Sequence, residues 1–266
     1  MAVSDVGAAA AGAPGVQPQV YDSAFFDGQR DGSIASADLI VPLVLRHFSP
    51  RRVVDVGCGV GGWLAAFQRN GVSEVQGFDG DYVDRSMLEI PADRFTPADL
   101  SNAPALGQFD LACTLEVAEH LPEASADHFV DRLTEAAPVV LFSAAVPGQD
   151  GSSHINEQWP SYWAEKFARR GFVTLDVIRP EIWTDEKIQP WYRQNILVFC
   201  KPDHVPQGMT PVPQHGRLDM AHPAWRPKAT KGRRVPQPIA IRDSVAMIRH
   251  CVSTIARTAM RRLVKG

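Results

Sequence analysis

Short β-branched runs alternate with segments whose apolar residues recur every three or four positions, and the alternation persists from residue 36 to residue 200. SADLIVPLVLRHF, 36–48, has helical spacing behind a cap candidate, Ser36. RRVVDVG follows as a first buried strand, then GGWLAAFQRNG as a helix stopped by Gly71. VSEVQGFDG reads as a second strand, RFTPADL as a third short extended piece, FDLACTL as a fourth strand and PVVLFSAAV as a fifth. FVTLDVI and QNILVFC are the last two. Between them, SADHFVDRLTEAA reads as a helix with Ser125 near its start, and WPSYWAEKFARRG as one with basic residues at its end and a glycine stop. Strand and helix in turn, joined by short connections, predict an α/β fold: a mostly parallel, seven-stranded sheet with helices on both faces.

The flanks break this rhythm. Residues 1–20 are rich in Ala and Gly without a basic start or a long apolar stretch, and read as a disordered leader rather than a signal peptide. The globular pattern occupies 21–200. Residues 201–238, rich in Pro, Gly and charge, read as a linker or loose wrap. Over 239–266, Ile241, Val245, Ile248, Val252, Ile255 and Met260 lie near one helical face with arginines elsewhere, which predicts a basic amphipathic tail helix. Such a helix suits an anionic membrane surface, a second copy of the chain or the domain itself, and the tail could equally stay disordered or meet nucleic acid, so a membrane contact and a homodimer both stay open.

Composition changes the picture in two places. Residues 226–266 carry eleven Lys/Arg against the single acid Asp243, while the rest holds 29 acids and 16 bases. A body this acidic argues against specific nucleic-acid binding. The four cysteines, Cys58, Cys113, Cys200 and Cys251, are scattered without a C-x-x-C pair, which fits a reduced cytoplasmic compartment better than a disulfide framework. With the basic tail, that expectation becomes cytoplasmic or peripheral at the inner face of a membrane.

Candidate chemistry begins in VVDVGCGVGGWL, which sets Gly57, Gly59, Gly61 and Gly62 between the first strand and its helix. A glycine-lined strand-to-helix turn lets a ligand approach the backbone and meet free N–H groups. Asp79 follows Gly57 by 22 residues at the end of the second strand, where a carboxylate can accept both hydroxyls of a ribose. Asp55, two residues before the first glycine, would repel a pyrophosphate but suits a cofactor with a cationic amino-acid end. DVGCGVGGW, the following GFDGD, then ADL and FDLACTLEVAEHLP together resemble the class I S-adenosylmethionine-dependent methyltransferases over roughly residues 50–200. The resemblance implies a Rossmann-like, doubly wound fold. It also implies that Asp55, Gly57, Gly59 and Gly61 hold the methionyl end, and Asp79 with Gly80 the ribose. Asp99 and Leu100 would then hold the adenine, with Asp81 and Tyr82 at its edge and Glu116 near the sulfonium.

EVAEHLP closes the fourth strand with Glu116, Glu119 and His120, residues that on a helical turn point the same way. Two carboxylates and one imidazole suit a hard divalent ion such as Mg²⁺. Acids at a helix N-terminus, favourable to its macrodipole, are the plain alternative. E-x-x-E-H also resembles the metal-binding segment of ubiquinone-pathway and small-RNA 2′-O-methyltransferases, which implies a metal that acidifies an acceptor hydroxyl. After the fifth strand, PGQDGSSHINEQWPSYW offers His154 as general base or further metal ligand, and Asn156, Glu157 and Gln158 beside Trp159, Tyr162 and Trp163. Polar groups beside planar rings suit a saccharide, and HINEQWP resembles a stretch of bacterial glycan and natural-product methyltransferases. The expected activity is methyl transfer to a hydroxyl of a saccharide or glycan precursor. His154, Glu116 and His120 are the candidate catalytic residues, and Glu116, Glu119, His120 and His154 the candidate metal ligands. The alternative expectation is a metal-independent N-, C- or O-methyltransferase of a small metabolite.

Overall fold

The computed structural model describes residues 23–149, 151–213 and 218–223, with 23–31 as backbone. The expected leader and tail helix therefore lie outside the described residues. In chain order the elements are α1 (Ser23–His47), β1 (Arg52–Val56), α2 (Gly62–Arg69), β2 (Glu74–Asp79), β3 (Phe95–Pro97) and β4 (Leu111–Leu115). They continue with α3 (Ala126–Ala136), β5 (Val139–Ser143), α4 (Pro160–Ala168), β6 (Val173–Leu175), α5 (Arg179–Ile182), α6 (Pro190–Asn195) and β7 (Leu197–Cys200). The seven strands form one sheet in the order β3-β2-β1-β4-β5-β7-β6. β1 to β5 run parallel, and β7 lies antiparallel between β5 and β6.

Strand residues divide by parity, as the period of two requires. Val53, Leu111, Cys113, Leu141 and Val198 pack with α1, α2, α5 and α6 on one face. Val54, Ala112, Val140, Phe142 and Phe199 pack with α3 and α4 on the other. Both faces are covered, which is why the central strands are apolar throughout rather than alternating. On the second face Phe167 stacks on Phe199 at 3.9 Å between ring centroids, with Phe142 and Trp163 against them. Burying each such side chain contributes about 1.5–3 kcal/mol. Because β1 has β2 on one side and β4 on the other, connections leave it in opposite directions and open a crevice at the carboxyl edge. The ends of β1, β2 and β4, with the glycine turn, all meet there.

Three expectations change. The first helix begins at Ser23, so Ser36 is not its cap. The Ser36 hydroxyl is buried, donates to the Gly32 carbonyl at 2.7 Å and accepts the Gln189 N–H at 3.0 Å, which satisfies it inside a helix. Gln194 and Asn195 close the short helix α6 instead of opening the last strand. Part of the expected linker is packed as a strap. Leu218 is buried, its carbonyl accepts the fully buried Arg179 guanidinium at 3.1 Å, and the Met220 carbonyl accepts the Gln194 amide. No described helix is long and apolar enough to cross a membrane.

Candidate active site

A cavity of about 510 Å³ opens at the crevice. Asp55, Gly57, Cys58, Gly59, Val60 and Gly62 supply its floor, Tyr82, Val83, Asp84 and Met87 one wall, and Leu115 and Glu116 its inner end. Ser33 and Ile34 from α1, Trp63 from α2, and Trp191 and Tyr192 from α6 form the opposite wall. The glycine turn has the backbone this requires: Gly57 and Gly61 have φ near +88°, at 89° and 87°. A Cβ on Gly57 would run into Val117, and one on Gly61 into Ile90, so the turn closes only without side chains there.

Of the acids expected to hold cofactor, Asp55 and Asp79 reach this edge, at the ends of β1 and β2. Asp79 accepts the Gly59 N–H at 2.7 Å and the Gly80 N–H at 2.6 Å, and its first oxygen also receives the Tyr82 hydroxyl at 2.6 Å. Burial first, then the charge of Asp79, pushes the Asp55 carboxyl up to about 8. A cationic group arriving beside Asp55 would offset both costs. Asp81 faces solvent and pairs with Arg85 at 2.7 Å. Asp99 is not brought to the cavity. Its exposed carboxylate accepts the Ser101 N–H and hydroxyl, capping a 3-10 turn, and Leu100 is buried in the core below. A short polar side chain at such a position finds its own backbone first.

EVAEHLP departs from helical geometry. Glu116 takes a left-handed φ of 55°, and only a 3-10 turn, Ala118–His120, follows before Pro122. The regular spacing that would align the three side chains is therefore lost. Glu119 is 0% exposed, and neither carboxylate oxygen has a hydrogen-bond partner. Burial first, then the charge of Glu116, raises its carboxyl well above the usual carboxylate range. His154 Nε2 stands 4.0 Å from Glu119 Oε1, and the His154 ring meets His120 edge-on at 4.9 Å. One ligand atom from each of Glu119, His120 and His154 lies within 4.8 Å of the others. Glu116 is outside that cluster, a correction to the expected set of four. Its carboxylate lines the cavity and receives amide N–H groups from Gln149 at 2.9 Å and Asn195 at 3.0 Å.

The loop after β5 serves this cluster more than it serves an acceptor. Its backbone N–H groups at Ile155 and Asn156 donate to the Glu119 carbonyl, at 2.9 and 3.0 Å. Asn156 is buried, donates its amide to the Ala118 carbonyl at 3.5 Å and accepts the Gln158 amide at 3.0 Å, so both side chains hold the loop rather than face an acceptor. Glu157 reaches His154 Nδ1 at 3.0 Å and accepts the Gly148 N–H at 2.6 Å. The expected aromatic platform is not formed. Trp159 caps α4, Trp163 belongs to the core, and Tyr162 lies beneath the Lys166 ammonium on a separate surface depression. The spacing of Trp163 and Phe167 along α4 is that of a core face. The aromatic wall of the cavity comes instead from Trp63, Trp191 and Tyr192. Trp191 and Tyr192 sit in PWYRQN, ahead of the last strand, and an aromatic pair beside uncharged amides is the one local signal for them.

A family model described as a methyltransferase domain matches residues 26–178. No curated protein matches the chain. Among solved structures, the sugar N-methyltransferase KedS8 from Streptoalloteichus sp ATCC 53650 superposes with a TM-score of 0.53 at 16% identity, covering 73% of this chain and 99% of that one. The methyltransferase domain of bacterial CtHen1-C does so with a TM-score of 0.48 at 18% identity, covering 63% and 97%. At 16% identity the likeness to KedS8 is one of fold.

Proposed function

The chain belongs to the methyltransferase-domain family, and from that premise we propose that it moves a methyl group from S-adenosylmethionine to a hydroxyl of a saccharide or glycan precursor, assisted by a divalent ion such as Mg²⁺. The fully buried Glu119 carboxylate, without a hydrogen bond and with one ligand atom each of His120 and His154 within 4.8 Å, is the observation that carries this reading. A buried acid without a partner is costly, and a hard cation is the partner that oxygen and nitrogen donors in this mixture accept.

The cavity fits the cofactor on the same kind of ground. Asp55, buried and short of a cation, suits the methionyl ammonium, and Asp79 at the end of β2 suits a ribose diol. The open backbone of Gly59 leaves room for the methionyl chain, with Gly57 beside it in the lining and Gly61 outside it, and Val83 and Met87 offer apolar surface to the adenine. Bound S-adenosylmethionine supplies an already activated methyl group, so the protein positions, excludes water and removes a proton. Glu119, His120 and His154 would hold the ion, which acidifies an acceptor hydroxyl when bound. Glu157 fixes the His154 ring through Nδ1, the usual outer support of a ligating imidazole. Trp191, half-buried in the cavity wall, supports a sugar as acceptor by offering a flat ring to its apolar face.

The His154–Glu157 pair also favours a second reading. An imidazole oriented by a carboxylate is a general base in its own right, and a small-metabolite methyltransferase needs no metal. Methyl transfer from S-adenosylmethionine to glycans, phenols and amines, read by mass with EDTA and with added Mg²⁺, separates the two. We expect a methylated saccharide whose formation stops in EDTA and returns with Mg²⁺. Undiminished turnover in EDTA selects the metal-free base, and turnover confined to phenols or amines removes the saccharide.

A further inference from the structure

Glu116 and Glu119 both follow β4, yet one carboxylate is hydrogen-bonded and the other is not. Both Glu116 oxygens meet the Asn195 amide nitrogen, at 3.0 and 3.3 Å, and the second also takes the Gln149 amide at 2.9 Å. The triangle is closed by Asn195 Nδ2 donating to Gln149 Oε1 at 2.9 Å, and that oxygen also accepts the Val146 N–H at 3.3 Å. The backbone beneath is pinned too: the Glu116 N–H donates to the Ser143 carbonyl at 3.0 Å and to its hydroxyl at 3.1 Å. Asn195 reaches this point from the end of α6, 79 residues along the chain. Its own amide oxygen is buried without a partner. Reversing the amide would set that oxygen against the carboxylate, so the orientation is dictated by Glu116.

Amide N–H groups stabilise an ionised carboxylate without cancelling its charge, unlike Lys or Arg. Burial raises the Glu116 carboxyl and the amide contacts work against that rise, so the result is a carboxylate held rigidly in the wall of the cavity where an arriving cation could complete its ionisation. We propose that Asn195, with Gln149, is a positioning residue that holds Glu116 as the counter-charge for the sulfonium of the bound cofactor, and keeps it from serving the Glu119, His120 and His154 cluster. This inference rests on the cavity taking S-adenosylmethionine. The division of labour follows from donors: Glu116 oxygens already carry three amide contacts, and Glu119 oxygens carry none.

The test compares S-adenosylmethionine with S-adenosylhomocysteine, which keeps the shape and ammonium but lacks the sulfonium charge. Calorimetry on the full chain should show Glu116→Gln losing about tenfold in affinity for the first ligand relative to the second, equivalent to about 1.4 kcal/mol. Asn195→Ala should shift that ratio in the same direction by several-fold, and should add little in the Glu116→Gln background, since the two act as one unit. Gln149→Ala tests the same clamp from its other arm if Asn195→Ala does not fold. Equal weakening of both ligands, or an unchanged ratio in the Gln149 variant, overturns the clamp and leaves Asn195 as packing. A wild-type chain that binds neither ligand overturns the cofactor reading itself, and the clamp with it.

Discussion

Glu119→Leu should make the metal-free protein more stable and the enzyme inactive. The side chain is 0% exposed and neither of its oxygens is hydrogen-bonded. Leaving a buried polar group unsatisfied costs about 1–3 kcal/mol, and exchanging a buried acid for a hydrophobic residue of similar volume often recovers a like amount. For a domain of this size each kcal/mol moves Tm by about 2–4 °C, so the variant should melt higher in EDTA by several degrees. Added Mg²⁺ should reverse the order. At a concentration a hundredfold above its Kd, an ion binding only the folded state adds about 2.7 kcal/mol to the wild type and nothing to the variant. Melting curves of both proteins, in EDTA and across a Mg²⁺ titration, give all four numbers. If the variant melts lower in EDTA, Glu119 is a satisfied structural acid. If both proteins respond equally to Mg²⁺, the ion binds elsewhere.

The raised carboxyl of Asp55 makes stability depend on pH. Its folded value of about 8 lies above its ordinary 3.8, so its contribution is fully present below about pH 4 and is lost as pH climbs to 8. The cofactor-free protein should lose up to about 1.4 kcal/mol per pH unit across that window, and Asp55→Asn should flatten the slope in a pH series of melting curves; parallel curves would contradict this. His154→Ala should lower kcat by about a hundredfold or more with little change in acceptor KM, since it removes a ligand or a base rather than a binding contact. Steady-state kinetics in which KM alone rises would make it a residue that merely holds the acceptor.

What could be read in advance was whatever depends on near neighbours in the chain. The strands announce themselves as β-branched runs because both faces of the sheet are covered, and the glycine turn because Gly57 and Gly61 need a left-handed backbone. Ser36 was misplaced for a related reason: a serine before an apolar periodic run has the same local signature whether it caps a helix or sits within one. Its interior place depends on Gln189, whose N–H it accepts from 153 residues away. Trp163 shows the same limit from the other side. Beside Tyr162 and Trp159 it reads as a platform, yet its spacing to Phe167 is equally that of a core face, and the partners that decide are Phe142 and Phe199 on two strands.

The two glutamates of EVAEHLP carry this furthest. Helical spacing places Glu116 and Glu119 on one side, and the prediction of a shared ion follows from it. The chain instead leaves β4 through a left-handed residue, pinned by Ser143 on the neighbouring strand, and makes one 3-10 turn. Nothing within seven residues specifies that. It is specified by Ser143, Gln149 and Asn195, which come from β5, its following loop and the end of α6, and which meet only once the sheet has formed. Their effect is chemical as well as geometric. Amides from Gln149 and Asn195 hold the Glu116 carboxyl in the cavity wall, while the buried oxygens of Glu119, near His154, carry no hydrogen bond. On the proposed reading one strand end would face two cations of different kinds, S-adenosylmethionine at Glu116 and a metal ion at Glu119, and each carboxylate would be matched to its own by what it is not bonded to.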